Sequence, residues 1–150
     1  MKKNIVHISF YSLLTFIFIL LSIVNVNALN KSEYYIEENI TILNTNETRA
    51  TNTRIAEKTT TIKNKAGSAL WYVKVQGTYS YTGSSSTCTN SIAYAGSYVP
   101  SNWKIANKSS WKSGNTAYAK ATADYYAAGM YIESMTETVS LTCDAKGNVY

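Results

Sequence analysis

Catalytic chemistry in this sequence has few side chains to draw on. The one histidine, His7, falls in a predicted signal segment, so the secreted chain has no imidazole to activate a nucleophile or to bind a metal ion. Lysine would then be the only base for a serine nucleophile. Lys108 and Ser109 are adjacent, however, and neighbouring residues of a strand point to opposite faces. The sequence therefore gives no support to serine or histidine catalysis.

Asp124 and Glu133 are the best candidates for a catalytic pair. They flank Ala128-Gly129, and if this dipeptide is a hairpin turn, paired residue numbers sum to 257 and the two carboxylates face each other. Two close carboxylates can share a proton, as glycosidases require. The same register predicts two favourable pairs, Lys120 with Glu137 and Tyr126 with Tyr131. A bulge near the turn would separate the carboxylates, so the register is provisional.

Cys88 and Cys143 are the only cysteines, and an exported chain meets an oxidising environment. We expect them to form one disulfide between the third and the last predicted strands. Such a bridge closes a loop of about 55 residues and stabilises a fold by ~4 kcal/mol. A redox role would require a Cys-x-x-Cys motif, which the sequence lacks.

Three lysines of the segment from Asn102 to Lys112 are four residues apart, so they share one face if the segment is a strand with its period of two. This period sets Lys104, Lys108 and Lys112 on one face of a strand and the two tryptophans, Trp103 and Trp111, on the other. We expect the lysines to form a solvent-facing stripe. One interpretation is a contact for an anionic polymer such as a teichoic acid or an acidic lipid. The favoured interpretation is that they keep an exposed edge strand from pairing with another chain.

Short strand-like segments must position these residues. Hydrophobic residues make up 45% and charged residues 15% of the chain, which is too apolar for a disordered protein. Segments rich in Thr, Tyr, Val and Ser alternate with turn clusters such as Gly83-Ser-Ser-Ser86. The predicted strands are residues 55–63, 69–82, 87–99, 102–112, 116–126 and 130–143. This spacing predicts an all-β fold, an antiparallel β-sandwich or barrel-like domain of about six strands.

Alternation within two of these strands predicts which side chains form the core. In the second strand, one set of alternate residues is almost wholly apolar: Trp71, Val73, Val75, Gly77, Tyr79 and Tyr81. In the fifth, the corresponding set consists of alanines: Ala117, Ala119, Ala121 and Ala123. We expect both sets to face inward, with another layer approaching closely over the alanines.

The N-terminal residues have the order of a secretion signal. Lys2 and Lys3 precede a long apolar run, and small residues end it at Ala28. We expect a signal peptide over residues 1–28, a polar leader or linker over 29–54 and a secreted domain over 55–150. The alternative for the first segment is a retained membrane anchor, because the apolar run approaches the ~18 residues of a spanning helix.

Several short motifs of residues 57–150 carry a family resemblance. They are Gly67-Ser-Ala-Leu-Trp-Tyr-Val-Lys-Val-Gln-Gly-Thr-Tyr-Ser-Tyr-Thr-Gly83, Cys88, Trp103-Lys104, Ser113-Gly-Asn-Thr-Ala117 and Leu141-Thr-Cys-Asp-Ala-Lys-Gly147. This pattern resembles small secreted β-domain proteins of Gram-positive bacteria that have no assigned activity. The resemblance implies an extracellular β domain with one bridge, and it implies no catalytic residue.

The absence of a catalytic toolkit and the thirteen tyrosines favour a secreted, extracellular, non-enzymatic binding or surface-interaction module. Its ligand is unknown, and cell-wall polymers, glycans and protein surfaces are the partners considered. We expect no cofactor, no metal and no nucleic acid. A membrane-active toxin or bacteriocin-like protein is the alternative, since residues 55–150 hold nine lysines against five carboxylates, a net charge of +4. A hydrolase that uses carboxylates alone is the least favoured class.

Overall fold

Seven β-strands make up the regular structure of the computed structural model, which describes residues 34–46 and 52–150. They are β1 (Tyr35–Asn46), β2 (Asn52–Lys63), β3 (Ala69–Tyr81), β4 (Ser86–Ser97), β5 (Trp103–Ser113), β6 (Thr116–Ala127) and β7 (Met130–Thr142). Two antiparallel sheets result, with the strand orders β1-β2-β3-β4 and β5-β6-β7. The predicted all-β, antiparallel fold class is therefore confirmed. The predicted signal peptide, residues 1–28, lies outside the described residues.

β1 is the strand that the sequence did not predict. It lies in the range 29–54, where composition indicated a polar leader, and β2 also begins within that range at Asn52. β1 pairs with β2 along its length, and every side chain from Tyr35 to Thr45 is exposed. A strand with no buried face has no need of the apolar alternation by which the other strands were predicted.

The inner faces of β3 and β6 form the centre of the core, as the alternation predicted. All six inward residues of β3 and all four alanines of β6 are buried. The layer over the alanines is aromatic: the ring of Tyr79 lies across Gly77, and its hydroxyl donates a hydrogen bond of 2.6 Å to the carbonyl oxygen of Leu141. At the other end, Trp71 stacks on Trp103 with ring centroids 6.3 Å apart. Small side chains on β6 thus make room for these large rings.

The two sheets are aligned but unequal in width. β4 lies against β5, β3 against β6 and β2 against β7, which leaves β1 without a facing strand. Among the described strands β1 contacts only β2. The inner face of the four-stranded sheet is therefore uncovered at β1.

A β-bulge in β7 shifts the register of the β6–β7 hairpin. Tyr126 pairs with Tyr131, as predicted, but Tyr125 then pairs with Glu133, so Ile132 is the extra residue. Beyond this bulge, paired numbers sum to 258 instead of 257. The predicted pairs of Asp124 with Glu133 and of Lys120 with Glu137 are consequently wrong. Their partners are Ser134 and Thr138, respectively.

The two cysteines are free, buried thiols, so the predicted disulfide is absent. Their backbone amides bond to the β5–β6 turn, from Cys88 to the carbonyl of Gly114 and from Cys143 to that of Asn115. Each thiol donates to a carbonyl in its own segment, Cys88 to Asn90 at 3.2 Å and Cys143 to Asp144 at 3.5 Å. The fold therefore brings the two residues to one turn, with each sulfur hydrogen-bonded locally.

Candidate functional site

The outer face of the three-stranded sheet carries two aromatic pairs separated by polar side chains. We call the outward-facing residues of β5, β6 and β7 the platform. They alternate with the buried alanines of β6, so Tyr118, Thr122 and Tyr126 all point away from the core. Tyr118 and Tyr126 are eight residues apart, which is roughly 26 Å at ~3.3 Å per residue of a strand.

The first aromatic pair consists of Trp111 and Tyr118. They are cross-strand partners on β5 and β6, and their rings are parallel, with an interplanar angle of 1° and centroids 5.0 Å apart. Trp111 is 43% exposed although it is a large aromatic residue. Sequence alternation had placed it on the same face as Trp103, which is buried. The pair instead lies on the outer face, with Trp111 exposed and Tyr118 half-buried against it.

The second aromatic pair consists of Tyr126 and Tyr131, which meet edge to face at 5.9 Å. The ammonium of Lys104 lies 4.6 Å from the ring centroid of Tyr126, a cation–π contact. The Tyr131 hydroxyl is 2.9 Å from that of Ser134, which donates to Asp124 at 2.6 Å. Side-chain contacts therefore hold the tyrosines, the lysine and the carboxylate in defined positions.

The centre of the platform consists of short polar side chains. Thr122 and Thr136 share a hydrogen bond of 2.8 Å across β6 and β7. Asn107 faces Thr122 from β5, and Lys120 is exposed in the next row. This arrangement offers hydroxyl, amide and ammonium groups between the two aromatic ends. It could hydrogen-bond an extended ligand along its whole length.

A second bulge separates the three lysines that the sequence placed on one face. Ile105 pairs with Ala123 and Asn107 with Thr122, so Ala106 is the extra residue. Lys104 lies before this bulge and points outward onto the platform. Lys108 and Lys112 lie after it and share their face with the inward-facing alanines of β6. The predicted stripe of three lysines is therefore divided between the two faces of the sheet.

Lys112 and Ser110 bond to the neighbouring edge strand. The Lys112 ammonium donates to the carbonyl of Thr89 at 2.8 Å, and the Ser110 hydroxyl donates to that of Ser91 at 3.0 Å. Both carbonyls belong to β4, one of the two outer strands of the four-stranded sheet. These side chains thus join the two sheets along the β4–β5 side of the sandwich, which is a structural role.

The candidate catalytic carboxylates lie on opposite faces of the sheet. Asp124 points outward with Ser134, whereas Glu133 pairs with the inward-facing Tyr125 and accepts a hydrogen bond of 2.8 Å from the hydroxyl of Tyr34. The bulge at Ile132 causes this separation. Two carboxylates that do not share a face cannot share a proton or flank one glycosidic bond.

Three acidic groups of the core have raised pKa values. Burial raises the pKa of both thiols, Cys88 and Cys143, above the ordinary value of 9.0. Burial, and after it the two neighbouring thiols, raises the pKa of Tyr79. All three groups are therefore neutral at physiological pH, and none is a thiolate nucleophile.

Within residues 34–46 and 52–150, no group of three or more His, Cys, Asp or Glu side chains could hold a metal ion. The same part of the chain contains no helix long and apolar enough to span a membrane. Comparison with family models, with curated proteins and with solved structures found no match.

Sequence reasoning missed the platform as a unit. It identified the pairing of Tyr126 with Tyr131 but assigned Trp111 to the inward face and Lys104 to a stripe with Lys108. The bulge at Ala106 turns Trp111 to the outer face and separates Lys104 from Lys108. The tyrosine content and the alternation of β6 were the only signals in the sequence that pointed to an aromatic outer face.

Proposed function

We propose that this protein is a secreted, non-enzymatic binding module and that its platform binds an extended carbohydrate chain. The observation that carries the proposal is the presence of two aromatic pairs at the ends of one polar sheet face, each pair with one exposed ring, Trp111 or Tyr131. Sugar rings have apolar faces that pack on aromatic rings, and their hydroxyls bond to the kinds of side chain found between the pairs. An open sheet face suits a polymer better than a small molecule, which concave pockets bind.

The composition of the platform favours a glycan over a protein partner. Protein interfaces have an apolar centre and a polar rim. The platform has the opposite order, with Thr122, Thr136 and Asn107 at its centre and aromatic residues at its ends. Lys104 and Lys120 are cations on this face, whereas Asp124 is held by Ser134. The ligand class that fits is a polyhydroxylated chain that is neutral or carries scattered negative charge.

A hydrolase is not the function that we propose. The carboxylate-only mechanism considered from the sequence depended on Asp124 and Glu133 facing each other. Their positions on opposite faces remove the basis of that alternative.

The test is binding to a panel of bacterial cell-wall and other extracellular polysaccharides, followed by calorimetry on any that bind. Trp111→Ala and Lys104→Gln should each weaken binding about fivefold or more, because each removes a contact on the order of 1 kcal/mol. The matched controls are Tyr98→Ala, an exposed tyrosine just after β4 that packs on Tyr72, and Lys112→Gln, a lysine on the strand of Lys104 that faces β4. Both controls should bind like the wild type.

Equal losses in the platform variants and the controls would contradict the proposal, as would failure to bind any polysaccharide. Leakage of anionic vesicles by the wild type would favour a membrane-active protein instead.

A further inference from the structure

β1 is an outer strand of the four-stranded sheet, and within residues 34–46 and 52–150 no strand pairs with its other edge. It is 12 residues long, contains no lysine, proline or glycine, and keeps an unbroken register with β2 from Tyr35 to Ile42. A long edge strand of this kind presents free amide and carbonyl groups to any strand that can pair with it.

The remaining outer strands are each blocked. β4 has Lys112 and Ser110 bonded to its carbonyls, and β5 lies beside it with a bulge at Ala106. β7 has a bulge at Ile132 and two inward-pointing carboxylates, Glu133 and Glu137. Bulges and inward charges are devices that prevent edge pairing. β1 has a bulge too, at Leu43, and its Glu38 lies on the inward face beside Ile36 and Ile40, but the bulge lies outside residues 35–42 and both carboxylates of β1 are compensated by the strand beside it.

This compensation comes from β2. Lys58 lies 3.0 Å from Glu38, and Lys63 forms an ion pair with Glu37. The charges of β1 are therefore neutralised within its own sheet and do not repel a second strand. The inner side of β1 carries three exposed isoleucines beside Glu38: Ile36, Ile40 and Ile42 are 57%, 38% and 53% exposed.

We propose that β1 pairs antiparallel with β1 of a second copy of this chain, joining two four-stranded sheets into one of eight strands. The sequence of β1 is self-complementary in the register where paired numbers sum to 78. Ile36 then faces Ile42 of the second copy twice, on the inner side. Each Glu37 faces a Thr41, each Glu38 faces an Ile40, and no carboxylate faces another. Asn39 lies on the two-fold axis and faces its own counterpart.

This register makes opposite predictions for two neighbouring substitutions on the outer side of β1. Asn39→Lys sets two lysines directly opposite each other across the axis and should weaken self-association about fivefold. Thr41→Lys sets each new lysine opposite Glu37 of the second copy and should leave self-association unchanged or strengthen it. Both sites are exposed, and both changes add one positive charge to the same edge. If any positive charge added to this edge prevented strand pairing, both substitutions would weaken self-association equally.

Sedimentation velocity of the purified wild-type protein over a wide concentration range should show a reversible monomer–dimer equilibrium. Hydrogen exchange should show protection of the amides of residues 35–42 that increases with protein concentration. Thermal unfolding of both variants should show that they remain folded.

A wild type that is monomeric at every concentration overturns the proposal. Equal weakening by Asn39→Lys and Thr41→Lys also overturns it, because the edge would then bind a different strand or use a different register. Concentration-independent exchange in β1 would show that any dimer forms elsewhere.

Discussion

At the scale of single residues, Tyr79 joins the two sheets through several contacts. Its ring covers Gly77, its hydroxyl bonds to the Leu141 carbonyl of the opposite sheet, and its neighbours include both thiols. The alanines of β6 leave the space that this ring fills. A single aromatic side chain from β3 thus determines how closely the two sheets approach.

Gly77→Ala should therefore destabilise the protein by about 2–3 kcal/mol, because the new methyl group would overlap the ring of Tyr79, which has no free space to move into. Gly96→Ala is the matched control, since it also adds a methyl to a strand glycine beside a tyrosine. There the neighbour is Tyr72, on the outer face, which is only partly buried and can shift. Urea unfolding should show a clearly smaller loss for Gly96→Ala. Similar losses would mean that Tyr79 is more mobile than its burial indicates.

The buried thiols predict a fall of stability at alkaline pH. Their pKa values are raised in the folded state, so the neutral thiols stabilise the fold fully below the ordinary pKa of 9.0. As the pH rises above 9.0, the unfolded chain loses its thiol protons first, and the free energy of unfolding decreases. Urea unfolding at increasing pH measures this effect, which should be smaller in a Cys88→Ala, Cys143→Ala double variant.

Thiol labelling provides the check on oxidation state. The native protein should react slowly, and the unfolded, unreduced protein should release two thiols per chain, since both cysteines are free. Release of none would show that a bridge had formed.

At the scale of strands, β-bulges decide which face each functional residue occupies. The alternation of β3 and β6 could be predicted from sequence because their inward residues are uniformly apolar or small. The bulges at Ala106 and Ile132 could not be predicted, because the residue types of a strand do not show where it holds one unpaired extra residue. Each bulge moves every later side chain of its strand to the other face. The lysine stripe and the carboxylate pair were both predicted across such a point.

β1 was missed for a different physical reason. Its inner residues lack a facing strand, so its apolar alternation is confined to Ile36, Ile40 and Ile42 and is interrupted by Glu38. Its Asn, Thr and Glu content is that of a linker, and only its hydrogen bonds with β2 make it a strand. Sequence patterns report burial, and an unburied strand leaves little pattern to detect.

At the scale of the whole molecule, the proposed dimer would place both platforms on one side. Antiparallel pairing about an axis perpendicular to the joined sheet keeps the two three-stranded sheets on the same face of it. Their platforms would then point in the same direction, away from the eight-stranded sheet. One polymer or one cell-wall surface could contact both platforms at once, which increases the effective affinity through avidity.

Avidity predicts a dependence on ligand length. The wild type should bind an immobilised polysaccharide up to about fivefold more tightly than Asn39→Lys does, because the substitution weakens the dimer by about that factor. Both proteins should bind a short oligosaccharide of the same composition equally, because one platform suffices for it. Surface plasmon resonance with the polymer and calorimetry with the oligosaccharide provide the comparison. A loss on the short ligand would mean that the substitution had altered the platform itself.

The consecutive order of strands within each sheet shortens the loops that folding has to close. Each of the five hydrogen-bonded pairs joins strands that are adjacent in the chain. Loop-closure entropy rises with loop length, and sandwiches rich in non-local pairs fold slowly for this reason. Here every hairpin forms from local contacts, and the four-stranded sheet can assemble while β5 to β7 are still being synthesised. The surface open to water during that interval is the inner face of β3, with Trp71, Val73 and Val75, until β6 covers it.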